Sequence, residues 1–331
     1  MTRVGIIGNT TWGTTLGVIL SNHNLDVLIW CRSEQEAVIL NKYRENKRFL
    51  PKVLFPDKLL ATSSKKSLSK SDLVLLAIPS RSLRSNINSI KDFLKDETIV
   101  ITASKGLEVD SGKRMTEILE EELPVNLKGN ICALSGPNLA IEIAANKPSS
   151  SVIASESLEV ANKAQQIINT KLFRTYTTND VIGVELGGAL KNIISLGAGI
   201  CDGLGLGDNS KAAFMTRGLA EITRLGIAAG AKPSTFAGLA GMGDLIATCY
   251  SNLSRNHKVG VELSKGLDIN KIRSSMNNVI EGIDTTMAAT NLAKKLGVEM
   301  PITFITYQVL FEGLPVDQAI FKLMGRPPST E

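Results

Sequence analysis

Short β-branched runs alternate with stretches of helical periodicity along the first half of the chain, and the alternation then stops. RVGII, DVLIW, LLATS, DLVLLAIP, TIVIT, NICALS, SSVIAS and LFRTY read as strands. Most are apolar throughout rather than at every second position, as in a parallel sheet with both faces covered. Between them, Glu34 to Asn41, Ser82 to Phe93, Lys113 to Glu122 and Leu158 to Asn169 read as helices. Strands alternating with helices predict a doubly wound parallel sheet. From Asp180 onward no strand series is found, only helical segments rich in Gly, Ala, Leu and Ile. The pattern predicts an α/β domain over residues 1–178 and an all-helical domain over 179–331. Thr178 or Asn179 is expected to cap the first long helix.

The segment GIIGNTTWGTTLG follows the first strand and opens the first helix. It places Gly8, Thr10 and Gly13 at the three positions of the G-x-G-x-x-G turn, which makes the first domain Rossmann-like. Gly8 permits the tight turn and Gly13 the close packing of helix on strand. Thr10 puts a Cβ where the backbone normally approaches the pyrophosphate. Two outcomes are open: a loop standing slightly back from the phosphates, which is the expectation, or Thr10 turned away with its hydroxyl satisfied by backbone or water. The second strand ends in Cys31, Arg32 and Ser33, without a carboxylate to hold ribose hydroxyls. Arg32 suits the 2′-phosphate of NADP; the bland alternative is a solvated arginine in the next helix.

Composition narrows the classes. Of 331 residues, 37 are basic and 32 acidic, and the excess of +5 is dispersed along the chain. The densest basic stretch, NKYRENKRFLPK, carries only scattered aromatics, which argues against a nucleic-acid partner. Cys31, Cys132, Cys201 and Cys249 form no CxxC pair and read as reduced thiols of a cytoplasmic protein. With only His23 and His257 available, no metal is expected. The apolar stretch from Val181 to Leu206 contains Glu185, Lys191, Asn192 and Asp202, which argues against a membrane span. The oligomeric state has no signature in the pattern, and a homodimer stays open.

Four further segments carry candidate chemistry. ITASKGLE sets Lys105 beyond the carboxyl end of a strand, where open α/β sheets bind ligands. In LSGPNLAIEIA, Gly136 follows a strand, and Pro137 with Asn138 can open a helix whose N–H groups are free. DVIGVELGGALKNIISLGAGICDGLG is helical and apolar, yet Lys191 and Asn192 sit in its middle. At helical spacing Gly188, Asn192, Ser195 and Gly199 form a small or polar stripe that a ligand can approach closely. A lysine there is costly unless paired or functional. In GLAGMGDLIATCYSNLSRNHKVG, Asp244 can pair with a lysine. Ser254 reads as a cap that lets Ser254, Arg255 and Asn256 face an anion. NVIEGIDTT adds Glu281 in a turn.

Together these motifs resemble the bacterial type of NAD(P)-dependent glycerol-3-phosphate dehydrogenase over essentially the whole chain. SKGLE (Ser104–Glu108), SGPxxAxE (Ser135–Glu142), KN (Lys191, Asn192), GLAGxGDLxxTCxxxxSRN (Gly238–Asn256) and EG (Glu281, Gly282) occur in order. The resemblance implies hydride transfer between NADP(H) or NAD(H) and C2 of glycerol 3-phosphate or dihydroxyacetone phosphate, supplying glycerol 3-phosphate for glycerophospholipid synthesis. It implies Lys191 as the group that gives and takes the proton at the C2 oxygen, Lys105 as a charge at that oxygen, and Asp244 as the partner of Lys191. Gly136, Asn138, Ser254, Arg255 and Asn256, with the three catalytic residues, would bind the substrate. Gly8, Thr10, Thr11, Trp12, Gly13, Arg32, Lys105, Asn138, Ala140, Arg255, Val279 and Glu281 would border the cofactor. Two positions depart from the family: Thr10 replaces the middle glycine, and Thr11 stands where serine is common. A 6-phosphogluconate or hydroxyisobutyrate type of dehydrogenase is the nearest rival. A non-catalytic dinucleotide-binding redox sensor is the rival from another class, and such a sensor would need neither lysine.

Overall fold

The computed structural model of the chain describes residues 2–275 and 279–327. The chain divides into two compact units, one of Met1–Lys105 and Arg114–Glu185, the other of Gly106–Lys113 and Leu186–Glu331.

The first unit is built on strands β1 (Arg3–Ile7), β2 (Asp26–Trp30), β5 (Leu59–Thr62), β6 (Leu73–Leu76), β7 (Ile99–Thr102), β8 (Ile131–Ser135), β9 (Ser149–Ala154) and β10 (Phe173–Thr178), with β3 (Glu45–Asn46) and β4 (Leu50–Leu54) forming a separate hairpin. The sheet order is β10-β9-β8-β7-β6-β1-β2-β5. Helices α1 (Thr11–Asn22), α2 (Glu34–Tyr43), α3 (Leu83–Ile90), α4 (Met115–Glu122), α5 (Val125–Lys128), α6 (Ala140–Ala144) and α7 (Leu158–Ile168) connect the strands. The continuous apolar runs have the meaning expected of them. In β6, Leu73 and Leu75 join one core cluster, with Leu16 and Leu20 of α1 and Ala164 of α7. Val74 and Leu76 join the other, with Ile87 of α3 and Ile118 of α4. Alternate residues therefore feed two cores, one on each face.

Strand order runs outward from β1 in both directions, so it reverses between β1 and β6. The loop Gly8 to Thr10 leaves β1 at that switch point, where doubly wound sheets bind ligands. Two strands depart from the all-parallel expectation: β9 pairs antiparallel with β8, and β10 pairs parallel with β9, so both run against the other six. The connection from β8 to β9 contains only the 5-residue α6. It lacks the crossover helix that a parallel return normally uses.

The second unit is helical among its described residues. It contains most of α8 (Val181–Gly203), then α9 (Gly207–Ala228), α10 (Pro233–Phe236), a π turn at Leu239–Gly243, α11 (Asp244–Tyr250), α12 (Arg255–Ser264), α13 (Ile269–Ser275), α14 (Glu281–Leu296), α15 (Pro301–Phe311) and α16 (Val316–Met324). The cap of α8 is Asp180, not Thr178 or Asn179. Its Oδ1 accepts from Gly183 N–H at 3.0 Å, the third helical position, where an N-cap side chain reaches. Thr178 supports the cap by accepting from the Asp180 N–H at 3.2 Å. Helix α8 is long and apolar enough to cross a membrane by length and composition, but 89% of its apolar window is buried within the protein. The burial fits a core helix.

Helices α8 and α12 pack through glycine. A Cβ on Gly199 would lie 2.0 Å from the His257 carbonyl oxygen, and one on Gly260 would lie 2.0 Å from that of Leu196. Glu221 is 1% exposed and accepts from the N–H groups of Ile302 and Thr303, both at 2.8 Å, at the start of α15. A carboxylate there satisfies two orphan donors and meets the positive end of the helix.

Candidate active site

The expected site residues fall into two groups, each lying within one unit. Gly8, Thr10, Thr11, Trp12, Gly13, Arg32, Lys105, Gly136, Asn138 and Ala140 belong to the first. Lys191, Asp244, Ser254, Arg255, Asn256, Val279 and Glu281 belong to the second.

In the first unit the loop after β1 needs its two glycines. Gly8 has φ +112, and a Cβ there would lie 2.7 Å from the Ala77 carbonyl oxygen; a Cβ on Gly13 would lie 2.0 Å from the Gly8 carbonyl oxygen. Thr10 does not behave as expected. Its Oγ1 donates to the Ala77 carbonyl at 2.7 Å and accepts from Gly13 N–H at 3.1 Å, so it is the N-cap of α1. The hydroxyl is satisfied by backbone, and the expected stand-off of the loop is replaced by a cap. The physical reason is extended backbone at Thr10 (φ −74, ψ 173), the usual N-cap conformation, which aims a threonine hydroxyl at the first turn. The N–H groups of Thr11 and Trp12, at the first two helical positions, keep no intrahelical acceptor, and no acidic residue stands in that turn. These features fit a diphosphate.

Arg32 is exposed after β2, and Ser33 beside it caps α2 by accepting from Glu36 N–H at 3.2 Å. Lys105 donates to the Gly136 carbonyl at 2.7 Å. Gly136 has φ +152, and a Cβ there would meet Ser151 Cα at 2.9 Å. Helix α6 opens at Ala140, after Leu139, so Pro137 and Asn138 stay in the preceding loop rather than starting the helix. Serines on β9 hold that loop. Ser151 Oγ donates to the Ser135 carbonyl at 2.9 Å and accepts from Asn138 Nδ2 at 3.1 Å, and Ser149 Oγ donates to the Pro137 carbonyl at 3.0 Å.

In the second unit Lys191 is 7% exposed. Its Nζ donates to Asp244 Oδ1 and, at 2.6 Å, to Thr248 Oγ1; the Thr248 hydroxyl in turn donates to the Asp244 carbonyl at 2.6 Å. Asp244 is 1% exposed. A buried ammonium with a carboxylate and a hydroxyl as partners is held in one place. Asn192 Oδ1 accepts from Asn256 Nδ2 at 2.9 Å, and Asn256 Oδ1 accepts from Gly282 N–H at 3.0 Å, joining α8, α12 and α14. Ser195 and Ser254 share a hydrogen bond of 3.0 Å, while Ser254 Oγ caps α12 by accepting from His257 N–H at 3.2 Å. Arg255 donates to the Val279 carbonyl at 2.8 Å, and Glu281 attracts its charge. The stripe on α8 therefore serves packing as well: Gly199 lets α12 approach, and Ser195 bonds to the α12 cap. Cys249, next to Thr248, is no nucleophile, since burial pushes its thiol up to about 12 despite Lys191 and Lys211 nearby.

Two clusters have no counterpart in the sequence reading. Asp202 Oδ2 takes both His257 Nε2 at 2.7 Å and Lys211 Nζ at 2.6 Å. Burial pushes the Asp202 carboxyl up, but the bonds to Lys211 and His257 outweigh that and hold it below its ordinary range. The hairpin β3–β4 meets the glycine loop through Asn46 and Phe49. The hairpin contacts and the His257–Asp202 pair join residues far apart in sequence, so no local pattern marks them. Among the described residues no group of three or more His, Cys, Asp or Glu could hold a metal ion.

Comparison with known proteins gives matches of the same extent. The model of the NAD-dependent glycerol-3-phosphate dehydrogenase N-terminus covers residues 3–161, and that of its C-terminus covers residues 180–321. A glycerol-3-phosphate dehydrogenase [NAD(P)+] of Dehalococcoides mccartyi is 48% identical, over 100% of this chain and 93% of its own length. One from Bacillus thuringiensis is 45% identical over 98% of this chain and 96% of its own. The crystal structure of glycerol-3-phosphate dehydrogenase from Coxiella burnetii has a TM-score of 0.92 and 34% identity, covering 98% of this chain and 99% of that one.

Proposed function

This chain belongs to the NAD-dependent glycerol-3-phosphate dehydrogenase family, and we propose that it interconverts dihydroxyacetone phosphate and glycerol 3-phosphate with NAD(P)(H). The observation that carries this reading is Lys191: buried, held by Asp244 and Thr248, and flanked by a capped helix start that suits a phosphate.

When bound, the nicotinamide supplies or takes the hydride at C2. The residues of the chain do the rest. In reduction the C2 carbonyl oxygen gains a proton as C2 gains hydride, and Lys191 Nζ supplies it; in oxidation Lys191 takes it back. Asp244 and Thr248 fix the direction of that ammonium. Lys105, steadied by the Gly136 carbonyl, supplies positive charge where the oxygen becomes negative. Ser254, Arg255 and Asn256 bind the substrate phosphate at the start of α12, with Gly136 and Asn138 completing the substrate contacts. Gly8, Thr11, Trp12 and Gly13 carry the cofactor diphosphate, Arg32 a 2′-phosphate, and Asn138, Ala140, Arg255, Val279 and Glu281 border the cofactor. A cytoplasmic location belongs to the same proposal, supported by four buried free cysteines.

The test is direct. Purified protein, NADPH and dihydroxyacetone phosphate should show loss of NADPH absorbance with stoichiometric glycerol 3-phosphate. Activity with 6-phosphogluconate or hydroxyisobutyrate and none with these substrates would overturn the reading. Binding of NADPH without turnover of any of them would point to a sensor.

A further inference from the structure

Asn46 lies on a strand of 2 residues in an exposed basic stretch, yet it is only 3% exposed. Its amide is fully engaged. Nδ2 donates to the Asn9 carbonyl and to Thr14 Oγ1, both at 2.8 Å, and Oδ1 accepts from Phe49 N–H at 3.2 Å. A second bond runs beside it, from Thr11 Oγ1 to the Phe49 carbonyl at 2.9 Å. The hairpin is thereby fastened to Asn9, Thr11 and Thr14, which span the glycine loop and the first turn of α1.

Burying a primary amide is costly unless every polar atom is paired. A short hairpin needing only to fold would do better with an apolar residue at this position. What the amide does is local. It engages the carbonyl of Asn9, one residue beyond Gly8, and so keeps that oxygen turned to the hairpin. A carbonyl free to rotate could face an anion and repel it. With Asn9 pinned, the amide N–H groups at the helix start are left to meet the ligand.

We propose that Asn46 is a positioning residue for the dinucleotide diphosphate, holding the glycine loop in the conformation that binds it. The proposal rests on the reading of residues 8–13 as the cofactor loop. Asn46 touches no ligand; it acts through Asn9 and Thr14.

The experiment is calorimetric titration of NADPH, 2′-phospho-ADP-ribose and 2′-AMP into wild type, Asn46→Ala and Asn46→Asp. Aspartate has the same shape and still accepts from Phe49 N–H, but it has no hydrogen for Asn9 or Thr14. Both variants should lose about tenfold in affinity for the two diphosphate ligands, the scale of one or two net hydrogen bonds. Binding of 2′-AMP, the KM for dihydroxyacetone phosphate and kcat at saturating NADPH should stay within about twofold, because none involves the diphosphate. Wild-type NADPH affinity in either variant would overturn the proposal, and so would an equal loss for 2′-AMP, which would signal general distortion. If neither variant folds, Thr14→Val takes their place, since it deletes one acceptor and leaves the hairpin intact. It should show the same pattern at about threefold, and wild-type affinity there would overturn the proposal. Wild-type protein that binds 2′-AMP but neither diphosphate ligand would overturn the loop assignment itself, and the proposal with it.

Discussion

The glycine loop of the first unit and the lysine cluster of the second are both close-packed, but they are made of different material. The loop is backbone. Gly8 and Gly13 are required because a Cβ would strike a main-chain carbonyl, and Thr10 completes it with one hydroxyl. The lysine cluster is side chain. Lys191, Asp244 and Thr248 stand on two helices and hold one another. Backbone sites fail by steric exclusion, whereas side-chain sites fail by leaving a charge unpaired. The two should therefore respond to mutation in different ways.

The largest effect is expected at Lys191. Lys191→Ala should lose at least ~100-fold in kcat, the usual scale for a general acid–base group, with NADPH affinity unchanged. It also takes away the ammonium that faces the Asp244 carboxylate at 1% exposure, and breaking a buried pair by removing one partner costs about 3–5 kcal/mol. The double variant Lys191→Met, Asp244→Asn removes the carboxylate charge together with the ammonium. It should recover much of the thermal stability while kcat stays low. Recovery of kcat with stability would show that Lys191 is structural only.

Arg32 comes next, at the edge of the backbone site. Replacing it by Asp should shift the ratio of kcat/KM toward NADH by roughly tenfold or more, since a charge-assisted contact is worth about 1.5–3 kcal/mol. A wild type that strongly prefers NADH, with the ratio unmoved by the replacement, would show that Arg32 is simply solvated.

The two regions also differed in how far they could be read from sequence. Strand runs, the helical second half and the glycine loop were legible because their causes are local. Apolar runs, helical spacing and a turn of six residues all sit within one window of the chain. The partners of Lys191 and Asn192 lie 53 to 64 residues away. Periodicity could place the lysine on α8 but not say what met it; Asp244 read as able to pair with a lysine, and only the motif likeness made Lys191 that lysine. The Asp202–Lys211–His257 cluster went unread for the same reason, since His257 and Asp202 are 55 residues apart. The hairpin β3–β4 was missed because β3 has only 2 residues and the pairing is irregular in register. What marks it is the bonding of Asn46 to a loop 32 to 37 residues earlier. The antiparallel turn of β9 was hidden because a buried strand reads alike in either direction.

Glu221 extends the comparison to pH. Burial holds its carboxyl above the ordinary range, against the N–H groups of Thr303 and Ile302 that lower it. A folded-state pKa above the unfolded one means the folded protein binds the proton more tightly. The stability so gained is complete below the unfolded pKa and is lost as pH rises through the folded pKa. Glu221→Gln has no such titration. The thermal stability of wild type relative to Glu221→Gln should therefore fall as pH rises upward from the ordinary glutamate range, by an amount on the order of a few °C. A constant difference across that rise would mean that the N–H groups fully compensate the burial.

The smallest effect is expected at Thr10, where the structure replaces the sequence expectation. A threonine Cβ that crowded the diphosphate would make Thr10→Gly bind NADPH more tightly. Instead the hydroxyl bridges the Ala77 carbonyl and Gly13 N–H. Glycine would break both bonds and loosen the loop before binding. It would also free the Gly13 N–H, a third donor at the helix start that a phosphate oxygen could use. The losses and the gain oppose each other. A Thr-to-Gly change at an N-cap costs only a few tenths of a kcal/mol in many helices, although it reaches about 2 kcal/mol in some. NADPH affinity should accordingly stay within about threefold of wild type, on the weaker side. Melting temperature should fall by about 1–4 °C. Calorimetric titration of both proteins decides the matter. Tighter binding by the glycine variant, beyond about threefold, would mean that the cap withholds Gly13 from the cofactor. The backbone site would then be limited by a side chain after all.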